Sequence, residues 1–167
     1  YVVKPAREGS SVGVYIVKQG DNGPDYSGWT YGDALVEEFI AGQEFTVSVM
    51  DDKALCVTEL IPHSGFYDFE AKYTDGKTTH VCPAEISNDL ANRMKEYAVT
   101  AHKALGCRGI TRSDFRYDAK TNKLAILETN TQPGMTPLSL VPEQALFMGI
   151  SFPELVSWMV ENATCDA

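Results

Sequence analysis

The stretch Leu127-Glu128-Thr129-Asn130-Thr131-Gln132-Pro133-Gly134-Met135-Thr136 decides how the rest of the chain is read. Before it, Lys123-Leu124-Ala125-Ile126-Leu127 reads as a buried strand, because it is a short apolar run. After it, Pro133-Gly134 forces a turn. Glu128 and Asn130 are two apart, so on a strand they project from one face. A carboxylate and an amide carbonyl are hard oxygen donors of the kind Mg2+ takes. Upstream, Ile110-Thr111-Arg112-Ser113-Asp114-Phe115-Arg116-Tyr117 predicts a second strand, with Arg112 and Asp114 on a shared face. A hairpin closed by the turn between Asp118 and Lys123 brings Asp114 opposite Glu128 or near it. Three oxygen ligands and an arginine then share one patch of sheet. Acidic residues on a sheet face are ordinarily just solvated, and Glu-x-Asn by itself is common. The metal reading is preferred because Glu128 closes an apolar run, where a lone charge is costly unless paired or metal-bound.

Working outward, Tyr1-Val2-Val3-Lys4 predicts a strand stopped by Pro5. Glu8-Gly9-Ser10-Ser11-Val12-Gly13-Val14 then forms a flexible loop rich in backbone N–H donors, with Lys4 and Arg7 beside it. Such a loop can fold over phosphate, although a Gly/Ser loop alone favours a plain hairpin turn. It is not a Walker loop, since no Gly-Lys-Ser/Thr follows. Residues 12–18 alternate as a half-buried strand, 19–32 read as a surface loop, and 34–40 form a third strand turned by Ala41-Gly42. Glu44 opens a fourth strand over 45–50, and Asp51-Asp52-Lys53 makes a hairpin to 54–60. Residues 61–82 fit neither period and are rich in aromatics, which suggests a lid or binding loop.

Ser87 caps a helix running to Leu105, with Leu90, Met94, Tyr97, Ala98, Ala101 and Leu105 on its apolar face and Gly106 as its stop. Residues 141–148 predict a short helix ended by Gly149. Ser151 caps a last helix with Pro153 in its first turn and Leu155, Val156, Met159 and Val160 inside. This order of elements predicts an α+β fold.

A chain of 167 residues can hold one domain, or two small subdomains, around a real core. Its net charge of −9 argues against a nucleic-acid-binding face. No run reaches the ~18 apolar residues of a membrane span, and no signal peptide opens the chain. Cys56, Cys82, Cys107 and Cys165 are widely spaced with no Cys-x-x-Cys pair, which argues against zinc and against a disulfide framework. Cys56 reads as a small core residue, and a reducing, cytoplasmic setting is expected. The apolar start at Tyr1, with no initiator Met, suggests that residues precede it.

Taken together, the motifs resemble the D-alanine–D-alanine ligases of the ATP-grasp superfamily, nearly end to end. The likeness rests on Val3-Lys4-Pro5, Arg7-Glu8-Gly9-Ser10-Ser11-Val12-Gly13, Gly42-x-Glu44-Phe45-Thr46-Val47, Tyr67-Asp68-Phe69-Glu70-Ala71-Lys72-Tyr73, Arg112-Ser113-Asp114, Glu128-x-Asn130-Thr131-x-Pro133-Gly134-Met135-Thr136 and Ser139-Leu140-Val141-Pro142. Each is weak alone, and their common order is specific.

The resemblance implies an ATP-grasp fold covering the rear part of the central subdomain (residues 1–44) plus the C-terminal catalytic domain (residues 45–167), with a lid loop at 62–77. It implies that two D-alanines are joined at the expense of ATP through an acyl phosphate, for peptidoglycan. Lys4 and the loop Glu8, Gly9, Ser10 and Ser11 would meet the phosphates, as would Lys72 from the lid. Glu37, Phe39 and Ile40 would receive the adenine, and Glu44 the ribose. Asp114, Glu128 and Asn130 would hold two Mg2+, with Mn2+ as an alternative ion. Arg112 and the Gly134 N–H would stabilise the oxyanion. Ser139 and Leu140 would hold the carboxylate of the second D-alanine, with Tyr67 also at the substrate.

Tyr73 and Ser10 would bond one another, a network that favours a dipeptide over D-alanyl-D-lactate. Phe39 departs from the family's usual Trp. The family's amino-terminal domain is the implied partner, and a homodimer the implied state of the full-length enzyme. No nucleic acid or membrane partner is expected. Two other readings stay open: another ATP-grasp carboxylate–amine ligase, or a nucleotide-binding fragment without catalysis of its own.

Overall fold

A computed structural model describes residues 1–9, 11–63, 78–137 and 139–165. The chain divides into two compact units, Tyr1–Ala41 with Pro62–Thr78 and Gly42–Ile61 with Thr79–Ala167. The expected lid, residues 62–77, lies almost wholly outside the described residues.

The first unit is a three-stranded antiparallel sheet in the order β2-β1-β3, formed by β1 (Val2–Pro5), β2 (Tyr15–Ile16) and β3 (Ala34–Glu37). The strand expected over 12–18 shrinks to two residues. Ser11 and Gly13 take φ of 62° and 68°, which breaks the extended path before Tyr15. At Gly13 a Cβ would sit 2.8 Å from the Tyr31 ring and 2.9 Å from the Pro5 ring, so only glycine fits. The strand expected over 34–40 ends at Glu37, leaving Phe39 and Ile40 on the segment that follows. The loop before β3 is ordered by aromatic rings packed edge to face: Tyr15 on Tyr26 (5.8 Å), Tyr26 on Trp29 (6.3 Å) and Trp29 on Tyr31 (5.2 Å). The Trp29 indole N–H donates to the Gly32 carbonyl at 2.7 Å.

The second unit holds a five-stranded sheet in the order β6-β5-β4-β7-β8. Its strands are β4 (Gln43–Met50), β5 (Lys53–Pro62), β6 (Thr78–Val81), β7 (Ile110–Asp118) and β8 (Lys123–Asn130). The β4–β5 hairpin turns on Asp51 and Asp52, both at positive φ (51° and 58°), as a two-residue turn of this twist requires. The Asp52 carboxylate also lies 3.4 Å from His102 and 3.5 Å from Lys103 on the helix behind.

That helix is α1 (Asn88–Ala104), capped by Ser87, whose hydroxyl accepts from the Leu90 N–H. Leu90, Met94 and Ala98 pack on Phe45, Val47, Val49, Val57 and Phe115 from one face of the sheet. His102 continues this i, i+4 stripe and is buried, its Nδ1 2.8 Å from the Thr111 hydroxyl. Two residues assigned to the apolar face, Tyr97 and Leu105, are exposed instead. Tyr97 lies beside the 90-94-98-102 stripe that one sheet face covers, and Leu105 is the C-cap residue, past the last helical turn.

Helices α2 (Leu140–Phe147) and α3 (Phe152–Glu161) pack on one another through Val141, Ala145 and Leu155, with Leu55 and Ile110 from the sheet. Of the residues expected inside α3, Leu155 is buried and Met159 packs partly, whereas Val156 and Val160 are exposed. Among the described residues, no helix is long and apolar enough to cross a membrane.

Candidate active site

Strand alternation creates the site. On β7, Phe115 points to the α1 core, so Arg112, Asp114 and Arg116 point to the other face. β4 sets Ser48, Thr46 and Glu44 directly opposite Arg112, Asp114 and Arg116. β8 sets Glu128 opposite Asp114 and Asn130 opposite Arg112. The hairpin expected between Asp118 and Lys123 is present, and it aligns the acid pair in register. Between Asp114 and Phe115 the register shifts, so that Phe115 faces Ile126 and Leu127 becomes an extra, bulged residue. Bulges of this kind re-aim side chains and recur beside active sites.

One expectation about β8 is corrected. It is an edge strand and not a buried one: Ile126 is 40% exposed and Glu128 is exposed. A short apolar run fits a buried strand and a half-covered edge equally well. Glu128 therefore carries no burial penalty, and its carboxylate has no hydrogen-bond or ion-pair partner among the described residues.

Asp114 is different. It is 6% exposed and held from three directions. Arg112 donates Nε to Oδ1 (2.9 Å) and Nη2 to Oδ2 (2.8 Å), and the Thr46 hydroxyl donates to Oδ1 at 2.7 Å. A buried carboxylate is tolerated only when its charge and lone pairs are met in this way. The fork also fixes the guanidinium. One step along, Arg116 donates Nη1 to Glu44 Oε2 (3.1 Å) and Nη2 to the Gly42 carbonyl (2.9 Å). Glu44, expected at a ribose, is thus a buried carboxylate aligned by an arginine that the sequence reading did not single out. The two-residue spacing of Arg112, Asp114 and Arg116 was the available signal.

Downstream of β8, Asn130 Oδ1 accepts from the Gln132 N–H at 2.9 Å, an Asx turn that starts the chain toward Pro133-Gly134. Ser139 is the N-cap residue of α2 but makes no side-chain cap bond. Its Oγ instead accepts from the Thr136 N–H at 2.9 Å and would lie 2.8 Å from a Cβ at residue 134. The structure therefore brings Gly134 and Ser139 together. Leu140 turns its side chain into the core, which leaves only its backbone for a ligand. Gln144, buried on α2, reaches the sheet: its Oε1 accepts from the Ser48 N–H (2.9 Å) and its Nε2 donates to the Thr46 carbonyl (3.3 Å).

In the first unit, Lys4 Nζ lies 2.7 Å from Glu37 Oε2, so two residues expected at phosphate and at adenine form an ion pair. Phe39 is half-buried and Ile40 buried; Glu8 and Gly9 are exposed. The Gly9 carbonyl accepts from the Val12 N–H at 3.1 Å, closing a turn. Ser10, Tyr67, Lys72 and Tyr73 lie outside the described residues.

Among the described residues, no three or more His, Cys, Asp or Glu side chains cluster to hold a metal. The expected set asks for less. Two carboxylates on paired residues with an amide next to them, one carboxylate exposed, form an oxygen-only donor set that fits Mg2+.

A family model described as the D-ala D-ala ligase C-terminus matches residues 1–161. The D-alanine–D-alanine ligase of Acidiphilium cryptum is 55% identical over 168 aligned residues, covering 99% of this chain and 56% of that protein. The chain thus spans about half the length of the curated relatives it matches. The crystal structure of the Bacillus anthracis D-alanine–D-alanine ligase superposes with a TM-score of 0.75 at 32% identity, over 96% of this chain and 53% of that one. A second structure of that ligase, complexed with ATP, superposes with a TM-score of 0.64 at 28% identity, over 75% of this chain and 39% of that one. The α+β fold is that of the ATP-grasp ligases, as the resemblance implied.

Proposed function

The chain belongs to the D-ala D-ala ligase C-terminus family, and from that premise we propose that it is the rear, catalytic part of an ATP-dependent enzyme joining two D-alanines for peptidoglycan. The observation that carries the reading is the polar sheet face, where Asp114 pairs with Glu128 and Arg112 with Asn130. The identity to a named ligase along nearly the whole chain supports the choice of reaction.

Lys4, Glu8, Gly9 and Ser11 are assigned to the phosphates of ATP, Glu37, Phe39 and Ile40 to adenine, and Glu44 to ribose. Asp114, Glu128 and Asn130 would hold Mg2+, two ions in the full reading, with Mn2+ able to replace them. Bound there, a metal ion would spread the charge of the transferring phosphoryl group. The carboxylate of the first D-alanine attacks the γ-phosphate and displaces ADP, and the amine of the second displaces phosphate from the acyl phosphate. Arg112, held by its fork on Asp114, and the Gly134 N–H would stabilise the oxyanion. Ser139 and the Leu140 backbone take the second substrate's carboxylate. An amino-terminal domain of the same enzyme, a homodimeric state and a cytoplasmic setting complete the proposal.

The test is Glu128→Gln in the complete ligase. Glu128 is exposed and has no partner among the described residues, so the change should leave the unfolding midpoint unmoved. D-alanine-dependent phosphate release should nevertheless fall by orders of magnitude, and its dependence on Mg2+ should shift to higher concentration. Near-normal turnover at ordinary Mg2+ would remove Glu128 from the mechanism.

A further inference from the structure

Two cysteines 26 residues apart in sequence meet at the β6 edge of the five-stranded sheet, the edge opposite β8. Cys56 lies on β5 and is buried; Cys82 directly follows β6 and is half-buried. Their Sγ atoms are 3.4 Å apart. The backbone holds them there: β6 is the neighbour of β5, and the Ala84 N–H donates to the Val57 carbonyl at 2.7 Å, pinning the bend after Cys82 beside Cys56. We propose that Cys56 and Cys82 form an oxidant-sensitive dithiol, which a hydroperoxide converts reversibly into an intramolecular disulfide.

The separation is short enough for the step. A disulfide bond is about 2.0 Å long, so the sulfurs need to approach by little more than one ångström. The surroundings divide the labour between the two. Either sulfur can donate across this contact, and the Cys56 sulfur also lies 3.9 Å from the Gln144 carbonyl. With Cys82 as the thiolate, the hydrogen bond to Cys56 lowers the Cys82 pKa to about 7, against the raising effect of burial. Thr58 Oγ1 makes no hydrogen bond of good geometry, yet its hydroxyl beside the sulfur lowers Cys82 further. Of the charged groups around it, His80 on β6 lowers it and Glu143 on α2 raises it, and these two lie 3.3 Å apart. Cys56 is pushed up, first by the hydrogen bond to Cys82 and then by burial, with Lys95 on α1 opposing weakly. Cys82 is therefore the accessible thiolate and Cys56 the shielded thiol.

The chemistry balances in two steps. The Cys82 thiolate attacks one peroxide oxygen and breaks the O–O bond, giving Cys82 sulfenic acid and releasing the other oxygen as hydroxide. The Cys56 sulfur then attacks Cys82 Sγ and expels a second hydroxide. The Cys56 proton neutralises one hydroxide and a solvent proton the other. Two sulfurs are each oxidised by one electron, and one hydroperoxide is reduced by two. At rest both thiols are free, which suits a reducing compartment in which such bonds form transiently.

The experiment exposes the full chain to hydrogen peroxide, with Cys107 and Cys165 replaced by serine so that only this pair reports. The expected result is loss of both thiols, a mass decrease of two hydrogens, a single 56–82 cross-linked peptide pair and full recovery with dithiothreitol. The rate of loss should rise with pH through an inflection near 7. Cys56→Ser should abolish the cross-link and leave Cys82 to accumulate added oxygen. Cys82→Ser should leave Cys56 nearly inert to peroxide. Bonds formed only between separate chains would overturn the proposal. So would retention of both thiols while exposed cysteines in the parent chain react, or equal reactivity of the two single variants.

Discussion

Gln144→Ala probes the joint that ties α2 to the sheet. The β4–β5 ladder shifts register between Val47 and Val49, and at that irregularity the Gln144 amide bonds the Ser48 N–H and the Thr46 carbonyl. All three residues are fully buried, so water cannot replace the lost bonds. Leaving the Ser48 N–H unsatisfied should cost ~1–3 kcal/mol, and losing the longer bond to Thr46 adds ~0.5–1.5 kcal/mol. The lost methylene adds about 0.8 kcal/mol. Destabilisation of about 2–5 kcal/mol is expected. At a urea slope of about 2 kcal/mol/M this moves the midpoint down by about 2 M. Trp158 packs against the Val141–Ala145 cluster and should report the transition by fluorescence.

Gln144→Glu separates bonding from volume. Its carboxylate keeps the acceptor for Ser48 but sets a second oxygen against the Thr46 carbonyl. Only the protonated form can donate there, so the folded pKa is raised and this variant should regain stability as pH falls. A loss under about 1 kcal/mol for Gln144→Ala, or no acid recovery in Gln144→Glu, would refute the reasoning.

Gly42→Ala should be among the most damaging single-methyl additions. Gly42 sits at φ +94°, a Cβ there would strike the Tyr117 carbonyl, and its own carbonyl anchors Arg116; an unchanged melting temperature would show that this approach is soft. Asp118 is held below the usual carboxylate range, first by the Thr121 hydroxyl and then by the Lys120 N–H. Its stabilising contribution is therefore full above about pH 4 and fades as pH falls through the lowered value, so Asp118→Asn should lose stability near neutrality and converge with wild type in acid. Parallel curves throughout would contradict this. The isolated chain should not release phosphate from ATP in response to D-alanine, because it spans 56% of the length of its relative and positioning can be worth ~7–11 kcal/mol. Sustained D-alanine-dependent turnover by the purified chain would refute that expectation.

The elements whose reading depended on local pattern came out of the sequence well. Ser87 and Ser151 both cap helices through their side chains, and Gly106 and Gly149 both stand at positive φ past helix ends. The Asp51-Asp52 turn sets the β4–β5 register, and the Asp118–Lys123 hairpin sets the register that pairs Asp114 with Glu128. What the pattern hid was burial. Tyr97, Val156 and Val160 carry the right period for a covered face but are exposed, because period marks a direction and not the presence of a partner to fill it. His102 was hidden for the opposite reason: a titratable residue sits on the buried stripe because Thr111 satisfies one ring nitrogen there.

The polar face shows the same limit at the site itself. Two facing carboxylates should repel unless a cation intervenes, and a metal was the expected cation. The structure shows a cation already in place at Asp114, in the Arg112 fork. Sequence spacing could put Arg112, Asp114 and Glu128 on one face, but it could not say which pair closes. With the arginine claimed by the buried acid, the two carboxylates are not equivalent. Asp114 is an anchored, charge-compensated oxygen donor, while Glu128 is exposed and without a partner among the described residues. A divalent ion arriving at this face would therefore meet one rigid carboxylate and one that must still be ordered. Thr46→Val, which removes the third contact on Asp114 from the side away from Glu128, should loosen that rigid donor without touching the exposed one.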